Sequence, residues 1–544
     1  MIINKKFADF IYENSDGRRR SIYIATVANG VCMAALIFSL TLGIGDYSQN
    51  GAISFRSLAM FALALGAFYV TQSWGGRIAS ESVLNGLGRL ELQVMDGLRR
   101  ADYAAFKEIS PEHVYAAVGG DKYGAVMAAR FLIPTMSAMV VVALTGFYLL
   151  TVSVPGALIV GGVLYGLIRV RGHIDATIAE RKGDDDQATN AFTTSLRDIV
   201  EGFNELKMNR RKSDALFNEK IESASAQKNE RLLDTEMIRT KSITLEQATL
   251  FLPLGLTLFL LPTLFAVSAQ DLVTIISVTL IVIWPAYTLV QFGPVSEMAA
   301  SMIARLEALQ EQLENANLEP LIEDGAYPEA PAFEALACRG IAFTYPKRSG
   351  DKEPFTLRIG DFSLTRGEMV IMRGGNGSGK STFMRILAAL EKPTEGELSV
   401  NGETIAAIGE ANYRALFSIV MADFHLFDRF YGYDGLDSPR ARKWMDVLDL
   451  SDRISMDKPL PTLALSSGQK KRMALLAAIL EDRQILLFDE VAADFDPYYR
   501  EKYYRQILPA LKAEGRTLLV ISHDDRYYDV ADRVVTMSEG ALRD

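Results

Sequence analysis

At 544 residues the chain is longer than one hydrophobic core usually organises, so at least two domains are expected. Its apolar content of 49% and positive mean hydropathy are high for a soluble chain, and the formal net charge of −10 argues against a nucleic-acid partner, because a phosphate backbone attracts basic surfaces. The two cysteines, Cys32 and Cys338, form no disulfide framework and lack metal-ligand spacing.

The N-terminal residues MIINKKFADFIYENSDGRRRS place Ile2, Ile3, Phe7, Phe10 and Ile11 on one helical face. That face suits a helix lying on a membrane surface or a plain solvated helix equally. The first long apolar run starts only after the RRR at residues 18–20 and is too long for a signal-peptide core, so no cleaved leader is expected. Apolar runs then occupy residues 22–44, 58–74, 131–152, 155–168, 248–268 and 272–292. Most reach the length that crosses about 30 Å of hydrocarbon as a helix. The fourth is short, but residues 131–168 are almost uninterrupted and cover two crossings at about 1.5 Å per residue. Ser153, Val154 and Pro155 supply the turn between them.

Residues 45–55, 153–154 and 269–271 contain no Lys or Arg, whereas 75–130 and 169–241 are rich in both. This positive-inside asymmetry puts both termini in the cytoplasm. The inner stretches read as helical, with membrane helices continuing into the cytoplasm and short crosswise helices at 111–123 and 198–208. Helix continues to about residue 314, and Pro320, Gly325, Pro328 and Pro331 then mark a linker. The expected organisation is an all-α, six-helix transmembrane domain with cytoplasmic extensions (1–318), a linker (319–332) and an α/β domain (333–544). In the last, β-branched runs at 370–372, 485–488 and 517–521 suggest a largely parallel sheet.

Residues 374–382 read GGNGSGKST between strand-like MVIM and helix-like STFMRILAAL. In such a loop the backbone amides of Gly374, Gly375, Asn376, Gly377, Ser378 and Gly379 surround phosphate oxygens of ATP. Lys380 reaches the β/γ-phosphates, Ser381 offers a hydroxyl to Mg²⁺, and Thr382 completes the motif. Farther on, ILLFDE ends a hydrophobic strand in two carboxylates. Asp489 is placed to hold Mg²⁺ and Glu490 to polarise the attacking water. Between them, LSSGQKKRMALLAAIL opens a helix with Ser466, Ser467, Gly468 and Gln469 and makes a second anion site. One chain does not need two such sites for one γ-phosphate.

These strings, in this order, resemble an ABC ATPase, whose signature loop caps the ATP held by a partner subunit. The usual LSGGQ has Ser467 here in place of its first glycine. The resemblance implies further roles: Tyr345 stacks on adenine, His523 contacts the γ-phosphate, and Asp496 crosses the dimer interface, although its segment reads AADFD. Two departures fall where transport is normally coupled to ATP. Ala422 stands at the position of the family's Q-loop glutamine, with Asp423 beside it as a replacement contact to Mg²⁺ or water. KPLPTLA, ahead of the signature, lacks the usual Gly-Glu.

The whole chain resembles a half-transporter of the type IV exporter fold. GGNGSGKST, LFSIVMADFHLFD, LSSGQKKRMALL, FDEVAADFDP, ISHDDRYYDVADR and VEGFNELKMNRRK are most similar to bacterial exporters of cyclic peptides, both microcin-type and pyoverdine-type siderophore peptides. The resemblance implies a homodimer in a bacterial inner membrane, with lipid around it, that uses ATP and Mg²⁺ to export a peptide-like or amphipathic cargo by alternating access. Lipid flipping, multidrug export and membrane ATP sensing are the competing readings. Tyr69, Gln72, Trp74, Tyr148, Gln247, Trp284, Tyr287 and Gln291 are cargo-contact candidates, against the alternative of an interfacial aromatic belt.

Overall fold

The computed structural model describes residues 4–15, 17–120, 122–316, 318–319, 327–345, 354–432, 438–451 and 465–543. Ile2, Ile3, residues 320–326 of the expected linker and the KPLPTLA stretch lie outside them. The chain divides into two units. One comprises Met1–Arg99 and Ile109–Ala316, the other Arg100–Glu108 and Asn317–Asp544.

Among the described residues, six helical runs are long and apolar enough to cross a membrane: Arg19–Tyr47, Phe55–Arg100, His113–Val152, Val154–Glu201, Arg210–Leu264 and Ala269–Glu314. Ahead of them, α1 (Lys5–Glu13) is capped by Asn4, whose side chain accepts from Lys6 N–H. Phe7, Phe10 and Ile11 are buried, and the Phe7 ring lies 6.4 Å from that of Phe292. The part of the apolar face formed by Phe7, Phe10 and Ile11 is therefore packed against protein.

The first unit continues with α2 (Arg19–Asn50) and α3 (Phe55–Arg100), and α4 (Tyr103–Glu108) belongs to the second unit. There follow α5 (Pro111–Val118), α6 (Tyr123–Val152), α7 (Val154–Glu201) and α8 (Phe203–Met208). Next come α9 (Arg210–Ala215), α10 (Glu222–Gly255), α11 (Leu261–Leu264) and α12 (Ala269–Glu314). With 46, 48 and 46 residues, α3, α7 and α12 run about 70 Å at 1.5 Å per residue, over twice the hydrocarbon thickness. The apolar runs thus mark only the first part of each of these helices, 58–74 in α3, 155–168 in α7 and 272–292 in α12. Leu63, Phe147 and Phe259 stand at least 70% exposed, a surface suited to lipid.

One residue, Ser153, separates α6 from α7. Its backbone is extended and its hydroxyl accepts from Gly156 N–H, so it ends one helix and starts the next. The crosswise helices differ from expectation. The first ends at Val118, and in the second region α7 continues to Glu201, leaving only the short α8. Few apolar residues mark these ends, and charge alone does not fix a helix boundary. A π turn at Leu256–Leu260 precedes Pro262, whose ring cannot donate to the carbonyl four residues back.

The second unit contains an 11-stranded sheet. Its strands are β1 (Ala335–Thr344), β2 (Thr356–Ile359), β3 (Phe362–Thr365), β4 (Met369–Gly374), β5 (Glu395–Val400) and β6 (Glu403–Thr404). They continue with β7 (Phe417–Val420), β8 (Ile485–Asp489), β9 (Thr517–Ile521), β10 (Arg533–Ser538) and β11 (Ala541–Arg543). The helices are α13 (Lys380–Leu387), α14 (Ile405–Ile408), α15 (Glu410–Arg414), α16 (Pro439–Val447), α17 (Ser467–Leu480), α18 (Pro497–Lys502) and α19 (Leu508–Ala513).

β10, β4, β9, β8 and β7 pair in parallel, whereas β1 pairs antiparallel with β2, β3 and β5. Every residue of β8 and β9 is buried. Along β8, Leu486 and Phe488 pack into one core with Trp444, Leu475 and Tyr503. Ile485 and Leu487 pack into another with Phe383, Met384 and Leu387. Burial on both faces explains why these strands read as continuous apolar runs. The parallel part was expected, but the antiparallel layer was not.

Candidate functional site: a nucleotide pocket at the ends of parallel strands

The pocket forms where β4, β8 and β9 end side by side. Such strand ends are the usual ligand position in an open α/β sheet. After β4 the chain makes a tight loop and enters α13 at Lys380. Two glycines are required for steric reasons. A Cβ on Gly374 would overlap the Met537 carbonyl oxygen, and one on Gly379, at φ 104°, would sit 2.6 Å from Leu357 Cδ1. Gly374→Ala should therefore weaken ATP binding about 10- to 100-fold, because forced overpacking costs roughly 1–3 kcal/mol and about 1.4 kcal/mol is tenfold. A nucleotide titration checks this, and unchanged affinity would refute the close approach.

Lys380 is buried, and its amino group donates to the carbonyls of Gly374 and Gly375, both at 2.9 Å. Burial pulls its pKa below the usual lysine value, against the pull of Glu490 and Asp489. Ser378 Oγ and Asp489 Oδ1 are buried with no hydrogen-bond partner among the described residues. Orphaned polar atoms at such a loop fit a missing occupant. The Ser381 hydroxyl lies close enough to the Asp489 carboxylate to favour its charged form. A serine hydroxyl beside a carboxylate with a spare oxygen is a hard-oxygen donor set suited to Mg²⁺. Among the described residues no group of three or more His, Cys, Asp or Glu gathers for another metal.

Burial pushes the Asp489 carboxyl up, opposed by the Ser381 hydrogen bond. The folded chain then holds this proton more tightly than the unfolded chain does. The associated stability is present below the ordinary value of 3.8 and is lost as pH rises through the raised one. At pH 7 the bare carboxylate weakens the empty fold. Asp489→Asn should raise the nucleotide-free Tm at pH 7. It should also remove the Mg²⁺-dependent part of thermal stabilisation by ATP, about 2.7 kcal/mol at a hundredfold excess over Kd. A lower Tm without nucleotide would contradict the assigned cost of burial.

Glu490 follows at φ 50°, a left-handed backbone uncommon for a non-glycine residue. Its N–H donates to Ile521 O at 3.2 Å, and Lys471 Nζ donates to its carbonyl at 3.0 Å. Its Oε1 lies 2.9 Å from His523 Nε2. Lys471 is buried and also pairs with Asp494 at 3.1 Å. Sequence reading missed it, because a lysine in KKRMALL looks like a solvated helix face.

Tyr345 is partly buried, with Phe343 edge-on at 5.0 Å, and its hydroxyl lies 2.9 Å from Thr382 Oγ1. Lys107 of α4 places its ammonium 5.0 Å from the Tyr345 ring centre and pairs with the buried Glu391. Ser466 caps α17 in a reciprocal capping box with Gln469, leaving Ser467 and Gly468 in the first turn. Asp496 caps α18 by accepting from Tyr499 N–H at 3.0 Å. Asp423 stands exposed after β7, and no described hydrogen bond joins it to Ser381 or Asp489. The structure therefore gathers Lys380, Ser381, Asp489, Glu490 and His523, and holds Ser466, Gln469 and Asp496 through local caps.

The ABC transporter family model matches residues 357–493. ATP-binding protein SyrD of Pseudomonas syringae pv. syringae is 31% identical over 395 residues, covering 71% of this chain and 69% of that protein. Macrolide export ATP-binding/permease protein MacB 1/2 of Paracoccus denitrificans is 31% identical over 224 residues, covering 38% of this chain and 32% of its own. A solved bacterial Atm1-family ABC exporter with ATP bound superposes with a TM-score of 0.70 at 16% identity, covering 97% of this chain and 95% of that one. With six crossing helices ahead of an ATPase domain whose phosphate loop, paired carboxylates and histidine converge, the chain belongs to the ABC transporter family as an ATP-hydrolysing transporter of exporter fold.

Proposed function

We propose that the chain works as a homodimer in a bacterial inner membrane and exports a peptide or peptide-derived metabolite by alternating access. The observation that carries this reading is the meeting of Lys380, Asp489, Glu490 and His523 in a chain that also supplies six crossings. Lys380 binds the β/γ-phosphates and Tyr345 the adenine. Ser381 and Asp489 would hold Mg²⁺, which supplies charge neutralisation on the phosphates. Glu490 orients and polarises the attacking water, and His523 fixes the Glu490 carboxylate.

Ser467 and Gly468 act on the nucleotide of a second copy. Among the described residues no hydrogen bond links residues 466–469 to the phosphate loop of the same chain. Asp496 orders its loop at the dimer face through its cap. Asp423 is the exposed carboxylate nearest in sequence to the missing glutamine and supplies the coupling contact. The lysine- and arginine-rich inner stretches support a cytoplasmic position for both termini and the ATPase unit.

The test is ATP-dependent uptake of a fluorescent cyclic heptapeptide into vesicles carrying the protein with its ATPase unit outward. Uptake that needs ATP and Mg²⁺ supports the reading. Movement of fluorescent phosphatidylethanolamine without peptide uptake would replace it with lipid flipping.

A further inference from the structure

Charges in the membrane unit gather deeply at one place. Arg171 of α7 lies just past the apolar run 155–168 and is 7% exposed. Its guanidinium donates to Asp175 at 2.9 Å and pairs with Glu246 of α10, which is itself 2% exposed. Ser242 Oγ donates to Glu246 at 2.8 Å, and Gln291 of α12 donates to its other oxygen at 3.0 Å. An ion pair with both partners this buried carries a large desolvation cost, and its place at the inner ends of the crossings makes it a candidate functional site.

A cavity of about 300 Å³ opens beside the cluster. Arg171 and Asp175 line it, and Lys5 and Glu297 stand exposed at its edge. Neither Lys5 nor Glu297 has an ion-pair partner among the described residues. Leu289 and Val290 supply apolar wall. Two cationic and two anionic side chains around a space of mixed polar and apolar lining favour a ligand that carries both charges over a bare ion of either sign. The volume is at the small end for a ligand pocket, so it suits one part of a larger molecule.

We propose that this cavity is a cargo subsite for a zwitterionic, peptide-like group. Lys5 takes the carboxylate, Glu297 takes the ammonium, and the buried Arg171 with the half-buried Asp175 sets the field between them. The proposal rests on the export reading and deepens it, because a cargo leaving the cell must be recognised at the inner ends of the crossings.

The full chain is placed in phosphatidylcholine–phosphatidylglycerol vesicles, and ATPase is followed against an amphipathic tetrapeptide in four forms: free-ended, N-acetylated, C-amidated and doubly capped. In the parent chain each single cap should raise the half-stimulating concentration about tenfold, as expected for one lost hydrogen bond to a charged group. In Lys5→Gln the C-amide penalty should disappear while the N-acetyl penalty remains, and Glu297→Gln should do the reverse. The ratio of capped to free peptide within each variant is the readout, so a general change in activity does not mimic the result. Four equally effective forms in the parent chain would overturn the subsite and leave peptide export standing. No stimulation by any form would overturn both. Stimulation that follows added phosphatidylethanolamine instead of the peptide ends would assign the cavity to lipid and also overturn the proposal.

Discussion

Glu490→Gln should bind ATP as tightly as the parent chain yet lose about 10²- to 10⁴-fold in steady-state hydrolysis, the range a positioned general base contributes. The amide keeps the length of the side chain and can still bond to His523, so the left-handed backbone at 490 and its anchors to Ile521 and Lys471 are unaffected. Only the charge that polarises the attacking water is removed. Retained nucleotide and a stable closed dimer, read by filter binding and by size in detergent, are the expected signs. Undiminished hydrolysis would remove Glu490 from the chemistry.

The second large effect concerns Arg171 and Glu246. Arg171→Met alone leaves a buried carboxylate without its cation, and Glu246→Gln alone leaves a buried guanidinium short of charge. Breaking such a pair costs about 3–5 kcal/mol. Each single variant should therefore unfold at a markedly lower temperature in detergent. The double variant should recover most of the loss, because Asp175 is partly exposed and can turn to solvent. Additive losses in the double variant would show that packing, and not the pairing of charge, sets the cost.

How legible these features were in sequence depended on whether their cause is local. The phosphate loop was, because GGNGSGKST concentrates glycines, lysine and hydroxyls within one turn. So were β8 and β9, whose burial on both faces leaves continuous apolar runs. The antiparallel layer was not, because β2 and β3 are four residues each and half their positions face outward or lie at the margin. The Arg171–Glu246 pair was also missed. Each residue flanks an apolar run, where charge ordinarily signals the membrane boundary. The cargo candidate Gln247 is exposed, whereas its neighbour Glu246 is buried against α7. A pairing across 75 residues of sequence leaves no local pattern. Asp496 and Gln469 show the opposite problem, since family resemblance assigns them intermolecular roles while their side chains serve helix caps in the same chain.

The phosphate loop is tied across its own turn by its lysine. The Lys380 ammonium donates to the carbonyls of Gly374 and Gly375. Any anion that draws on the same ammonium competes with two good hydrogen bonds. Orthophosphate, with few oxygens to offer, gains little from that competition, whereas a triphosphate can compensate along the whole loop. The geometry therefore favours a long polyphosphate over a single inorganic anion.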